Sequence, residues 1–274
     1  MKALYISDLD GTLLQPDVTL SRYTVDTLNE LMAGGMEFTV ATARTIASVK
    51  HILKDLNLAH PIILMNGVCI YDLQKQEYVK VETLSQGSIR ELMKVIEKNS
   101  LKGFVYTIKD SVLATYYEDL NTEALRDFYQ ERVDLYGKRF TQVDRFSDLS
   151  GEPIIYFSLL DHREKLEPIY HQIQSIPDLA CTFYRDNYAP DFWFLETFSS
   201  SASKYHATRY LRASLGAERV ICFGDNRNDL PLFEASDQKI AVGNAVDELK
   251  EKADQIASPN TEDGVANWLR QNYK

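Results

Sequence analysis

Two stretches of this chain alternate short apolar runs with helix-period patterns, and that alternation constrains its fold more than anything else in it. Residues 3–7 are a brief apolar run that stops at Asp8. The spacing then predicts a helix over about 21–33, with Ser21 to cap it, Val25, Leu28, Leu31 and Met32 on one face, and Gly34-Gly35 to end it. Residues 37–41 read as a second strand running to Thr42, and about 45–56 as a second helix. Residues 61–65 read as a third strand ending at Asn66-Gly67. Strand, helix, strand, helix, strand implies a parallel sheet with crossover helices.

The rhythm returns from about residue 200. Ser203 precedes a helix that Gly216 stops, and the strand 220–223 ends at Gly224-Asp225. A short helix begins near Asp229-Leu230-Pro231, 240–242 reads as a last strand, and about 263–271 as a C-terminal helix. Between the two stretches, helices near 86–99, 119–131 and 163–175 mix with strands of antiparallel character, two of them flanking a turn at Lys109-Asp110-Ser111. The expected organisation is α/β: a Rossmann-like parallel-sheet core over 1–82 and 191–274, with an inserted α+β domain over 83–190.

The length of 274 residues suits one large or two modest domains, and 45% hydrophobic with 26% charged residues excludes disorder. A net charge of -10 argues against a broad nucleic-acid-binding face. No run approaches the ~20 apolar residues that span a bilayer, and the N-terminal run is too short for a signal peptide. Cys69, Cys181 and Cys222 lack metal-binding spacing and fit a reducing compartment. A cytoplasmic protein with no nucleic-acid or membrane partner is expected; no pattern encodes its oligomeric state.

The polar residues gather in a telling way. Asp8, Thr42, Asn66 and Asp225 each follow the carboxyl end of an expected parallel strand, the edge where open α/β sheets bind ligands. Asp8 and Asp10, two apart at a strand end, bring two carboxylates to one centre and demand a cation or a shared proton. A third acid at Asp225 points to a hard cation such as Mg²⁺. The plainer alternative is a solvated turn. Thr42, before Ala43-Arg44, suits either a phosphoryl oxygen or a helix cap. Lys204, near a helix start, opposes the macrodipole, which an anion or carboxylate cluster would explain. Gly224-Asp225-Asn226-Arg227-Asn228-Asp229 carries more acids and amides than a capped turn needs.

Taken together these runs resemble the haloacid dehalogenase-like (HAD) superfamily, and within it the Cof-type phosphatases, whose C2B-type α/β cap lies between the second and third motifs. The resemblance spans the chain: Asp8-Leu9-Asp10-Gly11-Thr12, then Thr42, then Lys204, then Gly224–Asp229, with smaller matches at Asn66-Gly67, Val242-Gly243-Asn244-Ala245 and Glu262-Asp263-Gly264-Val265. It implies a Mg²⁺-dependent phosphatase for small-molecule phosphomonoesters such as sugar phosphates. Asp8 would be the nucleophile forming an aspartyl-phosphate, and Asp10 the acid and base. Mg²⁺ would be held by Asp8, the Asp10 carbonyl and Asp225. Leu9, Thr42, the Ala43 amide, Lys204 and Asn228 would bind phosphoryl oxygens, with Asp229 in support.

Ala43 and Tyr205 stand where the family usually has glycine, and Tyr205 is expected to put a ring beside the site. A phosphomutase or phosphotransferase, or a non-catalytic phosphometabolite-binding regulator, remains as an alternative. Residues 183–188 and 191–194 are rich in aromatics, which either line a pocket or pack the cap sheet.

Overall fold

β1 (Ala3–Ser7) is flanked on both sides because nearly all of it is apolar: its last four residues are buried, leaving neither face for water. The computed structural model describes residues 2–186 and 189–273. After β1 come α1 (Arg22–Ala33), β2 (Glu37–Val40), α2 (Ile46–Ile52), β3 (Ile62–Leu64), β4 (Cys69–Asp72) and β5 (Glu77–Val81). Next are α3 (Gln86–Lys98), β6 (Gly103–Lys109), β7 (Val112–Tyr117), α4 (Glu123–Tyr136) and β8 (Thr141–Gln142). Then follow β9 (Ile154–His162), α5 (Arg163–Ile173), β10 (Leu179–Arg185) and β11 (Phe192–Ser199). The chain closes with α6 (Lys204–Leu215), β12 (Arg219–Gly224), α7 (Leu230–Glu234), β13 (Gln238–Ala241), α8 (Asp247–Lys250), β14 (Gln255–Ile256) and α9 (Gly264–Asn272).

Two compact units result, Met1–Lys80 with Ser203–Lys274, and Val81–Ala202. In the first, a parallel sheet runs in the order β14-β13-β12-β1-β2. Ser7 lies opposite both Val40 and Phe223, so Asp8, Ala41 and Gly224 stand at one level at the end of these strands. That register carries residues far apart in sequence to one edge. α1 starts where Ser21 accepts the N–H of Thr24, and α6 where Ser203 accepts that of His206.

The second unit is a six-stranded sheet, β10-β11-β9-β6-β7-β8, antiparallel except for the β7–β8 pair. One face packs Val105, Phe157, Leu159 and Leu195 against Ile89, Leu92 and Ile96 of α3 and Leu166 and Ile169 of α5. β6 and β7 join through Asp110 and Ser111, whose φ of 51° and 62° make the two-residue turn that matches strand twist.

Several expectations need correction. The boundary at 190/191 fails because β11 pairs with β9 and β10 and so belongs to the second unit; the crossings fall at 80/81 and 202/203. The third strand of the parallel sheet is instead a member of an antiparallel sheet β3-β4-β5, joined to β2 by one parallel bridge, Ala41 to Ile63. The helix expected to 56 stops at Ile52, and β14 lies outside the strand expected to be last. Lys109 pairs with Val112 and is not part of the turn. Among the aromatics, Phe183 stacks on Tyr170 of α5 and packs on Trp193, so these two serve the core. Asn187 and Tyr188 lie outside the described residues.

Gly67, with φ of 97°, lets the loop after β3 pass the start of α6: a Cβ there would lie 2.1 Å from the Ser203 carbonyl oxygen. Gly67→Ala therefore costs about 2 kcal/mol or more. Urea denaturation should show a lower midpoint at unchanged slope; a wild-type midpoint would refute the close approach.

Candidate active site

β1 delivers Asp8 to the sheet edge, where its N–H donates to the Phe223 carbonyl at 3.0 Å. The turn beyond requires glycine: Gly11 has φ of 79°, and a Cβ there would lie 2.3 Å from Asp225 Oδ2. The turn brings Thr12 round so that its hydroxyl donates to Asp225 Oδ1 at 3.0 Å. β12 delivers Asp225 in the same way, and its N–H and that of Asn226 donate to Asp229 Oδ2 at 3.0 and 3.2 Å.

Lys204 ties these parts together. Its side chain is fully buried, and its ammonium donates to Asp8 Oδ1 at 2.6 Å and to Asp229 Oδ1 at 2.7 Å. This explains a lysine at the start of a helix, where the macrodipole disfavours it: the two carboxylates outweigh the dipole.

The charges do not balance. Asp8, Asp225 and Asp229 present carboxylate oxygens within 4.8 Å of one another, all buried, against the single ammonium of Lys204. Burial, reinforced by the Asp229 charge, pushes the Asp8 carboxyl up to about 8 despite the pull of Lys204. Burial, then Asp229 and Asp8, likewise raise Asp225 well above the usual carboxylate range. For Lys204, burial acts downward, but Asp229 and Asp8 outweigh it and hold the ammonium charged. Three carboxylates against one ammonium leave two negative charges, which a divalent cation would cancel, and the all-oxygen donor set suits a hard one. The residues present fit a metal site. Asp229 has both oxygens taken by Lys204 and two N–H groups, which leaves Asp8 and Asp225 as the better donors.

Asp10 stands apart from this cluster. Its carboxylate takes a two-pronged pair from Arg44, 2.7 Å from Nε and 2.6 Å from Nη2, with the arginine side chain only 9% exposed. No local pattern in the sequence announces that Arg44 reaches back to Asp10. Thr42 is buried and does not cap α2; Thr45 precedes that helix, and the Thr42 hydroxyl accepts the Arg44 N–H at 3.1 Å. Ala43 is partly exposed between them. The Thr42 carbonyl accepts the Asn66 N–H at 3.0 Å, and the Asn228 amide reaches Asn66 Oδ1 at 3.4 Å. Leu9 has a buried side chain and a carbonyl that takes the N–H groups of Thr12, Leu13 and Leu14, so only its amide could meet a ligand.

The smaller motifs are scaffolding. Asn244 donates to the Gly11 carbonyl at 2.7 Å, and Asp263 Oδ1 accepts from Gln15, Ser21 and Thr24. The Tyr205 ring, about 100° round the helix from Lys204, meets His206 and Arg209.

A family model described as haloacid dehalogenase-like hydrolase matches residues 5–269. The chain belongs to that family. It is 28% identical over 290 residues to the Bacillus subtilis 5-amino-6-(5-phospho-D-ribitylamino)uracil phosphatase YwtE, covering 99% of this chain and 98% of the other. It is 24% identical over 268 residues to the Escherichia coli pyridoxal phosphate phosphatase YbhA, covering 96% and 95%. The solved structure of a haloacid dehalogenase-like hydrolase from B. subtilis superposes over the whole of both chains, with a TM-score of 0.82 at 26% identity. No helix among the described residues is long and apolar enough to cross a membrane.

The raised carboxyls carry a signed pH dependence. Folded, metal-free protein holds a proton on Asp8 that the unfolded chain has already released, so this contribution is full below about pH 4 and is lost as pH rises to about 8. Asp225 acts in the same direction. In EDTA the melting temperature should fall across that window. A divalent cation should stabilise the protein more at the upper end than at the lower; equal stabilisation at both ends would speak against a metal between these carboxylates.

Proposed function

We propose that this chain is a phosphatase that hydrolyses small-molecule phosphomonoesters, with Asp8 as nucleophile, Asp10 as acid and base, and Mg²⁺ held by Asp8, the Asp10 carbonyl and Asp225. The observation that carries this reading is the Lys204 bridge. It fixes the orientation of a buried Asp8 carboxylate and supplies positive charge where a phosphoryl group would sit. Family membership and the two phosphatase relatives support it, and so does the charge deficit of the acidic cluster.

An Asp8 oxygen attacks phosphorus and the ester P–O bond breaks. The departing alkoxide takes the proton of Asp10, leaving an aspartyl-phosphate. Asp10 then takes a proton from water, whose oxygen attacks the same phosphorus, and inorganic phosphate leaves with Asp8 restored. Bound Mg²⁺ would offset the repulsion between the Asp8 carboxylate and the phosphate dianion. Lys204, Asn228, Thr42 and the amides of Leu9 and Ala43 hold the phosphoryl oxygens, and Asp229 orients Lys204. Arg44 holds the Asp10 carboxylate in place in its ionised form, the form that takes the proton from water in the second step. The named substrates of YwtE and YbhA differ, a ribitylaminouracil phosphate and pyridoxal phosphate; for this chain the reading is a small metabolite, a sugar phosphate or a related ester. A cytoplasmic location accords with three free thiols, two of them buried.

Release of inorganic phosphate from a panel of esters, with water as sole acceptor and added Mg²⁺, tests the reading. Asp8→Asn should leave no turnover, and Asp10→Asn should lower kcat by about 10²–10⁴ on alkyl phosphates. Transfer to an added alcohol without hydrolysis, or binding without turnover, would overturn it.

A second expectation concerns Arg44. Nitrophenolate leaves without needing a proton, so Arg44→Met should depress kcat on alkyl phosphates far more than on p-nitrophenyl phosphate. Equal losses on both would mean that Arg44 does not act through Asp10.

A further inference from the structure

The second unit contains a buried lysine that the proposed chemistry does not use. α4 ends at Gly137, whose φ of 59° turns the chain back, and the Lys138 N–H closes the turn on the Arg132 carbonyl at 3.1 Å. Lys138 thereby lies over the sheet face opposite the α3–α5 core. Its Nζ is 4.6 Å from the centre of the Tyr106 ring and 4.8 Å from that of Phe140, and the residue is only 9% exposed. Tyr106 in turn meets Tyr156 edge-on, and Phe140 packs on Phe104 and Tyr129.

What Lys138 lacks is an anion. Among the described residues no carboxylate pairs with its ammonium and no acceptor takes a hydrogen bond from it. Arg132, the charged group acting on it, has the same sign and itself stacks on Phe128 and pairs with Glu131. Glu196 shares this sheet face through the register of β6, β9 and β11, but it accepts the hydroxyls of Tyr184 at 2.9 Å and Thr182 at 3.4 Å. Two ring faces repay only part of the cost of taking an ammonium out of water. Burial first, and the Arg132 charge second, hold Lys138 well below the ordinary range of a lysine, the response of a cation that lacks a counter-charge. A helix end alone does not account for it, because the ammonium bonds to none of the terminal carbonyls of α4.

We propose that Lys138, reinforced by Arg132, forms an anion-binding site within the second unit that takes a phosphate or carboxylate group beside the Tyr106 and Phe140 rings. The rings offer apolar faces to the body that carries the anion, and the two cations favour a group with more than one charge. The site stands on geometry in this unit alone and does not depend on the role of Asp8.

Calorimetric titration of the full chain with inorganic phosphate tests it, comparing wild type with Lys138→Met and Lys138→Arg. Met keeps the apolar stem and removes the charge. Lys138→Met should lose one class of phosphate site, or weaken it by at least about tenfold, while Lys138→Arg keeps it. A parallel titration with acetate identifies the ion: a response to phosphate alone names a phosphate site, and a Lys138-dependent response to acetate names a carboxylate site. Equal phosphate stoichiometry and affinity in wild type and a folded Lys138→Met protein would overturn the proposal, leaving Lys138 a buried structural lysine. Should Lys138→Met not fold, wild-type protein labelled with ¹³C at lysine Cε decides instead. The Lys138 signal, assigned by its absence in Lys138→Arg, should move on adding phosphate, and a stationary signal would refute the site.

Discussion

A buried ammonium between two buried carboxylates organises the first unit. Lys204 reaches Asp8 at the end of β1 and Asp229 beyond the end of β12, and each residue is tied to further backbone: Asp8 through its own N–H to β12, Asp229 through its carboxylate to the amides of Asp225 and Asn226. Removing either partner would strand charge in a dry interior, a far larger penalty than the net worth of the contact. The glycines at 11 and 224 follow from this arrangement, because a Cβ at either would strike Asp225 or Asp229. The same closeness leaves the cluster short of positive charge. An unbalanced, preorganised group of oxygens is costly for stability and useful for gripping a cation and a phosphoryl group.

The two acids of the first run are held differently, and this separates their chemistry. Asp8 is buried against Lys204, while Asp10, two residues on, has its carboxylate turned to Arg44. One carboxylate is fixed for attack and the other is braced by a guanidinium at a partly exposed position. That separation is what a mechanism with one nucleophile and one proton carrier requires.

Much of this was legible because it is local. Alternating apolar runs and helical stripes mark β1, α1, β2, β12 and α9, and strand ends mark Asp8, Thr42 and Asp225, since periodicity is a property of neighbours in sequence. The errors share one cause. An apolar run such as 192–199 reads alike in either sheet, so the sequence does not show that β11 belongs to the second unit; 61–65 does run parallel to the end of β2 at the Ala41–Ile63 bridge, but β4, which follows at once, folds back on β3 as a hairpin and draws it into another sheet. Tyr205 adjoins Lys204 in sequence, yet its ring contacts are with His206 and Arg209 of its own helix, which sequence adjacency does not reveal.

The sequence by itself determined the class of fold, the acids at the strand ends and the family, because each is written in short runs with local spacing. Only the tertiary structure decided which groups touch. It set the ammonium of Lys204 between Asp8 and Asp229, Thr12 on Asp225, Arg44 on Asp10, and Lys138 over the Tyr106 and Phe140 rings. Strand register and crossover geometry place residues hundreds of positions apart within hydrogen-bonding distance, and no local pattern carries that information.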